Sequence, residues 1–558
     1  MDISPFESLQ RFMQRLCLVD VARAKVASQS SYSRWSTALD ADGAISATFP
    51  DDFGFHTNEE RDPWWQVDLC WEYPVELIVV HNRRRGGEHR ADGIEVSISQ
   101  DQVNWTLIHS GLVRFSSGSD GVPLTLPVGG RPARYVRMQL PGVEFLHLAR
   151  VEVFSTKSEA LLAEIAGTVA KRCRLADGGP VLDVTFMGTS NSLMTTGYTV
   201  ALRERPDFSI RANLSLGSSH PPLVAFRWDA DLATGSRFIV IDLNVNQQRA
   251  MSCDVSPANA ISQVFFDVLA KCHRIGAIPI ILILPEGWSY HDGEAKAFAG
   301  RRVFVDLCEQ YGIPYFDGYR FIEIMARETG LPPIRFLSDT AHVDHRLRRC
   351  FGDLFATALV RAAPAMRLGE RSAQVESLAF VPVTMATCPG ATRSMLSNSL
   401  LSTPLLQLTP GHPAHFEIAR GSVVVGLVFN MSVSNAALRV QGKSSTVKNL
   451  NTSVADPTGP SWIVVWSLLG QVAAGADGIT VECVQTGDMS MLEPNDHGNV
   501  GHRVGVDTPM IELAGLIVAQ PASAQPIPTI TGCDLDLFNF IAAEIRAEPT
   551  GPSQRSER

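Results

Sequence analysis

A serine hydroxyl is a weak nucleophile until a neighbouring base takes its proton. A turn that exposes a serine, together with an acid–base pair elsewhere in the chain, is therefore the first feature to look for. Residues 184–194, VTFMGTSNSLM, carry an apolar run into a Gly-Thr-Ser turn that ends on Ser190. If the run is a strand of an open α/β sheet, Ser190 stands outside its carboxyl end, where such sheets bind ligands. At the start of a following helix its own N–H is also free to face an oxyanion. Near the other end of the same region stands Asp339-Thr-Ala-His342. An Asp three residues before a His can accept the imidazole Nδ1–H and fix the tautomer, so that Nε2 faces the serine. A Gly-Thr-Ser turn also occurs as a plain helix cap, and D-x-x-H spacing is common. Their coincidence at the two places the chemistry requires makes Ser190, Asp339 and His342 the candidate catalytic set. Ser192 is expected to support the turn, and Asp344 and His345 to open the last helix of the region.

The elements that must position this set are legible in the hydrophobic rhythm. Apolar runs at 181–187, 238–243, 278–284 and 313–316 alternate with amphipathic stretches. Ile261, Val264, Phe265, Val268 and Leu269 form an i, i+3, i+4, i+7, i+8 stripe after a Ser256-Pro257 start. Leu347, Phe351, Leu354 and Phe355 repeat it beyond His345. Strands that read as continuous apolar runs between helices indicate a parallel sheet covered on both faces. Residues 20–155 instead alternate with period two (Ile94, Val96, Ile98; Val136, Met138, Leu140; Val151, Val153), the pattern of an antiparallel β-sandwich. Period two returns beyond 370, with candidate strands at 423–429, 462–466, 479–484 and 510–518. Trp462 and Trp466 read there as core residues. Residues 519–529 read as a Pro/Ala/Ser linker, 535–545 as one short helix, and the last residues as a disordered tail. No internal repeat is found.

The 558 residues exceed what one core organises. A formal net charge of −10 offers nucleic acid no electrostatic footprint. No stretch of about 18 apolar residues is present, so no membrane span is expected. The N-terminal residues read as a short amphipathic helix rather than a signal peptide. The ten cysteines are scattered singly without CxxC spacing. Several, such as Cys272 and Cys308, lie inside apparent helices as small buried hydrophobes. The expected location is cytoplasmic, or exported without a classical signal peptide.

Across roughly residues 180–365 the chain resembles the SGNH (GDSL-type) hydrolases, on four blocks in the family's order. Gly188-Thr189-Ser190 matches the first, which implies Ser190 as nucleophile. Asn213-Leu-Ser-Leu-Gly217 resembles the second and Leu243-Asn-Val-Asn246 the third. By the resemblance, the Gly217 N–H and the Asn246 side chain join the Ser190 N–H as an oxyanion hole. Asp339 and His342 match the last block. Thr189 stands where the family has Asp, Asn244 where its third block has Gly, and Gln247 where an Asp often follows.

The segments FHTNEERDPWWQVDL, VVHNRRRGGEHRADGIEVSIS, RYVRMQL and LHLARVEVF resemble a coagulation-factor type C (discoidin) domain, closest to the fucolectins. By that resemblance His56, Arg83 and Arg90 would bind sugar hydroxyls. Trp64 and Trp65 are expected in the core rather than on a ligand face. The cysteine pair of some fucolectins is replaced by the Arg84–Gly87 stretch. The calcium loop keeps Asp42, but Arg150 stands at its later acidic position.

The expected fold class is thus multidomain. An extension (1–19) precedes a jelly-roll β-sandwich (20–156). A flavodoxin-like α/β SGNH hydrolase domain (157–368), an all-β domain of unknown role (369–520), and a linker, helix and tail (521–558) follow. The expected function is a serine esterase removing an acyl group, acetyl first among candidates, from a carbohydrate, with an appended glycan-binding domain. Fucose-containing glycans are among the candidate partners, and neither metal nor cofactor is required. The alternatives are an O-acyltransferase acting on a glycan, or a lectin or scaffold with a silent hydrolase fold.

Overall fold

The computed structural model describes residues 17–36, 40–116, 122–174, 180–252, 254, 260–291, 297–384, 386–389, 392–398, 400–452, 461–485, 492–495, 508–521, 524–542 and 545. The expected N-terminal helix, the Ser256-Pro257 helix start and the tail lie outside them. The chain divides into two compact units, residues 1–167 with 327–331, and residues 168–326 with 332–558.

The first unit is an eight-stranded sheet in which every strand pair is antiparallel. Its spine is the long strand Trp64–Asn82, paired with Leu124–Gln139 on one side and His147–Thr156 on the other. The period-two residues turn inward as their spacing requires. Val96, Ile98, Val136, Met138, Val151 and Val153 are buried in one core with Trp65. Trp64 stays partly exposed, with the Arg137 guanidinium 4.9 Å over its ring. Asp42 accepts the Ala27 N–H at 2.7 Å, and Arg150 pairs with Glu152 at 3.0 Å.

The second unit is organised by a five-stranded parallel sheet: β1 (Leu182–Met187), β2 (Phe208–Asn213), β3 (Phe238–Ile241), β4 (Ile278–Ile283) and β5 (Tyr315–Asp317). The strand order β2-β1-β3-β4-β5 is the flavodoxin-like order. Strands β3 and β4 are buried along their whole length, which is why they read as unbroken apolar runs. The stripe Ile261, Val264, Phe265, Val268, Leu269 turns into the core from helix Ala260–Arg274. Helix His345–Ala362 is capped by Asp344, whose carboxylate accepts the Arg346 N–H at 2.9 Å. It crosses helix Tyr198–Arg203 at Gly352, where a Cβ would overlap the Tyr198 carbonyl and stand 2.7 Å from the Ala201 Cβ. The described cysteines are free, and Cys272 and Cys308 are buried. Among the described residues no helix is long and apolar enough to cross a membrane.

Residues beyond 370 form a six-stranded and a four-stranded antiparallel sheet packed face to face. The strand Val423–Asn430 is buried at seven of its eight residues. Val424, Leu427 and Phe429 face the second sheet, while Val425 and Val428 join the core shared with helix Ala260–Arg274. Both faces of that sheet are therefore occupied, one by its partner sheet and one by the α/β layer. Buried polar contacts fix the register. The Leu378 N–H donates to Gln263 Oε1 at 3.1 Å, and the buried Lys271–Asp267 pair sits under Phe380.

Two expectations here are corrected. Residues 519–529 are not a free linker. Strand Ile511–Pro521 continues through Ala519, and Gln525–Ile527 pairs with Ala373–Val375, with Ala519, Gln525 and Ile527 buried. Of the short helix expected at 535–545, the described residues form one 3-10 turn, Leu537–Phe540, capped by Asp536. Its approach lies along the open edge of β5, with the Tyr315 N–H donating to the Leu535 carbonyl at 2.8 Å.

Candidate functional site

Strand β1 ends on Met187, and the chain turns into the short helix Ser190–Leu193. Thr189 is its N-cap residue and Ser190 its first helical residue, so the Ser190 N–H has no acceptor within the helix. The turn is held from below by Asp242, which follows β3. Its carboxylate accepts the Thr189 N–H at 2.7 Å, the Thr189 hydroxyl at 2.8 Å, the Ser192 hydroxyl and, at 3.5 Å, the Tyr198 hydroxyl. Ser192 thus supports the turn, as expected. Burial pushes the Asp242 carboxyl up to about 6 against the pull of these donors. No sequence block pointed to Asp242; its signal was a carboxylate at the end of a fully apolar run.

Gly188 lies against this carboxylate, and a Cβ there would overlap it. Gly188→Ala is expected to destabilise the unit by about 1–3 kcal/mol through forced displacement of packed atoms. It should also slow any chemistry at Ser190, since the turn must move. Urea denaturation alongside the rate of phosphonylation of Ser190 checks both. An unchanged midpoint with unchanged labelling would show that the turn tolerates the methyl group.

The structure brings Ser190, His342 and Asp339 together. Ser190 Oγ lies 2.9 Å from His342 Nε2, and His342 Nδ1 lies 2.9 Å from each carboxylate oxygen of Asp339. A carboxylate only accepts, so Nδ1 carries the proton and the Nε2 lone pair receives the serine O–H. Desolvation raises the Asp339 carboxyl, but the bonds from His342 and from the Ala341 N–H outweigh it and hold the group below the usual carboxylate range. The loop is pinned on both sides. Asn191 Nδ2 donates to the Ala341 carbonyl at 3.0 Å, and the Gly287 N–H to the Thr340 carbonyl at 2.8 Å. Such a chain can draw the proton from Ser190 and stabilise the imidazolium that results.

The segment after β2 runs beside the end of β1. Leu214 N–H donates to the Phe186 carbonyl at 2.8 Å and Leu216 N–H to the Gly188 carbonyl at 2.9 Å. This places Gly217 against Ser190, whose Cβ would lie 3.7 Å from a Cβ built on the glycine. Asn246 is differently engaged: its Nδ2 donates to the Ser219 carbonyl at 2.9 Å. That bond uses one of the two amide hydrogens and ties Asn246 to the loop that carries Gly217.

The loop continues into the β-rich region. The Val465 N–H donates to Ser219 Oγ at 3.0 Å, the His220 N–H to the Val465 carbonyl at 2.8 Å, and Trp466 Nε1 to the Ser218 carbonyl at 3.2 Å. Trp466 is fully buried, as expected, but Trp462 is not: its side chain is 40% exposed and its Nε1 lies 3.7 Å from a Cβ built on Gly217. The core reading of Trp462 is therefore corrected. Strand Ile463–Ala473 begins just after it, so the residue stands at the strand's mouth, outside the pleat.

In the first unit, His56 is buried and its Nδ1 donates to the Thr57 carbonyl at 2.8 Å, leaving Nε2 as an acceptor. Burial, and then the nearby Arg83 and Arg90 against the pull of that bond, lower its pKa. Arg83 pairs with Asp52 at 2.5 Å and lies 5.3 Å over the Phe53 ring. Arg90 stands 3.5 Å from Glu144 and 4.9 Å over Phe145. The three expected residues thus share one cluster, with both arginines braced by carboxylates. The sequence reading missed two members. His147, its ring 4.9 Å from that of His56, is 1% exposed with neither ring nitrogen hydrogen-bonded, and burial holds its pKa down to about 3. Trp35 is 52% exposed beside His56. A neutral imidazole acceptor between two guanidinium donors suits vicinal hydroxyls.

Residues 29–138 match the family model of the NedA-like, galactose-binding domain. Fucolectin from Anguilla anguilla is 31% identical over 109 residues, 19% of this chain and 67% of that protein. The lectin domain of lectinolysin, solved in complex with Lewis B antigen, is 30% identical over 25% of this chain and 97% of its own, with a TM-score of 0.21. A two-domain esterase active on acetylated mannans is 11% identical over 64% of this chain and 96% of its own, with a TM-score of 0.41.

Proposed function

The chain belongs to the fucolectin family through its N-terminal domain, and from that premise we propose that it is a serine esterase that removes an acyl group, acetyl first among candidates, from a carbohydrate its lectin domain also binds. The observation that carries the esterase reading is the unbroken hydrogen-bond chain Ser190–His342–Asp339. Ser190 Oγ attacks the ester carbonyl as its proton passes to His342 Nε2. The oxyanion is received by the N–H groups of Ser190 and Gly217 and by Asn246. His342 then gives its proton to the departing sugar oxygen, leaving an acyl-serine. Water, deprotonated by the same imidazole, attacks that ester, and the acid leaves with Ser190 reprotonated.

Incubation with a fluorophosphonate should label Ser190, and acetylated oligosaccharides should release acetate. Absence of both would sink the enzyme reading.

In the lectin domain, His56 accepts and Arg83 and Arg90 donate to sugar hydroxyls. A second tethered contact then raises the local concentration of esters at Ser190. Arg83→Ala is expected to weaken binding to fucosylated glycans on an array by about tenfold or more, the loss of one charge-assisted bond. Unchanged glycan binding would assign the arginine to its Asp52 brace alone.

A further inference from the structure

Trp462 stands beside Gly217 and Ser190, and the hydrolytic chemistry does not use it. Its main chain is fixed at both ends: its N–H donates to Asn430 Oδ1 at 3.1 Å, and its carbonyl accepts the Met431 N–H at 2.8 Å. Asn430 is held in turn by Glu512, at 2.8 Å. The strand it introduces is bonded to the loop of Gly217 at Ser218, Ser219 and His220. A large side chain on so rigid a base, yet 40% exposed, has not been spent on the core. Its Nε1 and the Ser190 Cβ each lie 3.7 Å from the position a Cβ on Gly217 would take, so the indole and Ser190 flank the same glycine. Indole offers an apolar face to the C–H side of a pyranose and one N–H donor to a hydroxyl.

We propose that Trp462, supplied by the C-terminal β-rich region, is a substrate-contacting residue of the Ser190 site: it packs against the sugar ring that carries the ester and sets the preference for carbohydrate over small acyl esters. The site is then composite. The α/β layer supplies the proton transfers, and the β region, through the Trp462 ring and the 217–220 loop it braces, supplies recognition. The inference rests on the esterase reading for its kinetic test but not for its binding test.

The kinetic test compares the full chain with Trp462→Ala and Trp462→Phe on an acetylated oligosaccharide and on 4-nitrophenyl acetate. The ratio of kcat/KM for sugar ester over small ester should fall at least tenfold in Trp462→Ala, mostly through KM, and recover in large part in Trp462→Phe. An unaltered ratio, whether both rates fall together or neither does, overturns the proposal. The binding test uses Ser190→Ala labelled with fluorotryptophan and followed by fluorine NMR. The Trp462 resonance, assigned by its loss in Trp462→Phe, should shift on addition of the acetylated oligosaccharide. If wild type hydrolyses neither ester, the esterase reading fails alone; if the resonance does not move, the Trp462 proposal fails whatever the wild type does.

Discussion

Replacing Ser190 with alanine should leave about one-millionth of the turnover on any ester the protein hydrolyses, with stability almost unchanged. The magnitude follows from removing the nucleophile of a set that acts as a unit. The stability forecast follows from the partly exposed position of Ser190, whose hydroxyl makes its described bond to His342. His342→Ala should cost a similar factor and the double variant little more, because neither residue works without the other. Asp339→Asn should cost about ten-thousand-fold by allowing the wrong tautomer. Asp339 also accepts the Ala341 N–H at 2.7 Å, which the amide oxygen can still take, so the loop should hold. Steady-state kinetics with thermal unfolding of each variant decide this. Additive losses in the double variant, or a Ser190→Ala enzyme with more than a hundredth of wild-type turnover, would mean that the nucleophile is another residue.

How much of this was legible beforehand depended on whether the signal was local. The parallel sheet could be read because β3 and β4, buried on both faces, leave unbroken apolar runs. The juxtaposition of Ser190 with His342 could be anticipated because both follow strand or loop ends on the side where open α/β sheets present their loops. Residues whose role is fixed by distant partners were not legible. Trp462 and Trp466 stand four apart in one apolar stretch, yet Trp466 is buried with its Nε1 on the Ser218 carbonyl while Trp462 is 40% exposed beside Gly217. Composition made 519–529 a linker, whereas the Ala373–Val375 strand it pairs with lies about 150 residues away in sequence and leaves no trace in the local pattern. Nothing local marks His147 within its strand, and only the pairing across the register sets it beside His56.

Asp242 shows the same lesson with the largest structural stake. The SGNH hydrolases, which this part of the sequence resembles, have an acidic residue beside the nucleophile where this chain has Thr189, and here the acid under the turn comes from the end of β3. Asp242→Ala would leave the Thr189 N–H and the Thr189 hydroxyl without their acceptor, and the Ser192 and Tyr198 hydroxyls with only each other, in a site closed to solvent. At about 1–3 kcal/mol for each stranded group, partly relieved by relaxation, a loss of about 3–5 kcal/mol is expected. Ser190 turnover should fall with it. Asp242→Asn separates charge from shape, since the amide oxygen can keep both Thr189 bonds while the amide nitrogen faces hydroxyls able to accept. It should therefore retain most of the stability and lose a pH dependence. With its folded pKa raised from 3.8 to about 6, the Asp242 carboxyl holds its proton more tightly in the native state than in the unfolded chain. That contribution is complete below about pH 4 and is lost as pH rises to about 6, at no more than about 1.4 kcal/mol per pH unit. Urea midpoints of wild type minus those of Asp242→Asn should thus decline between pH 4 and 6 and level off above. A flat difference across that window would show that the carboxyl titrates normally and that its four donors fully offset its burial.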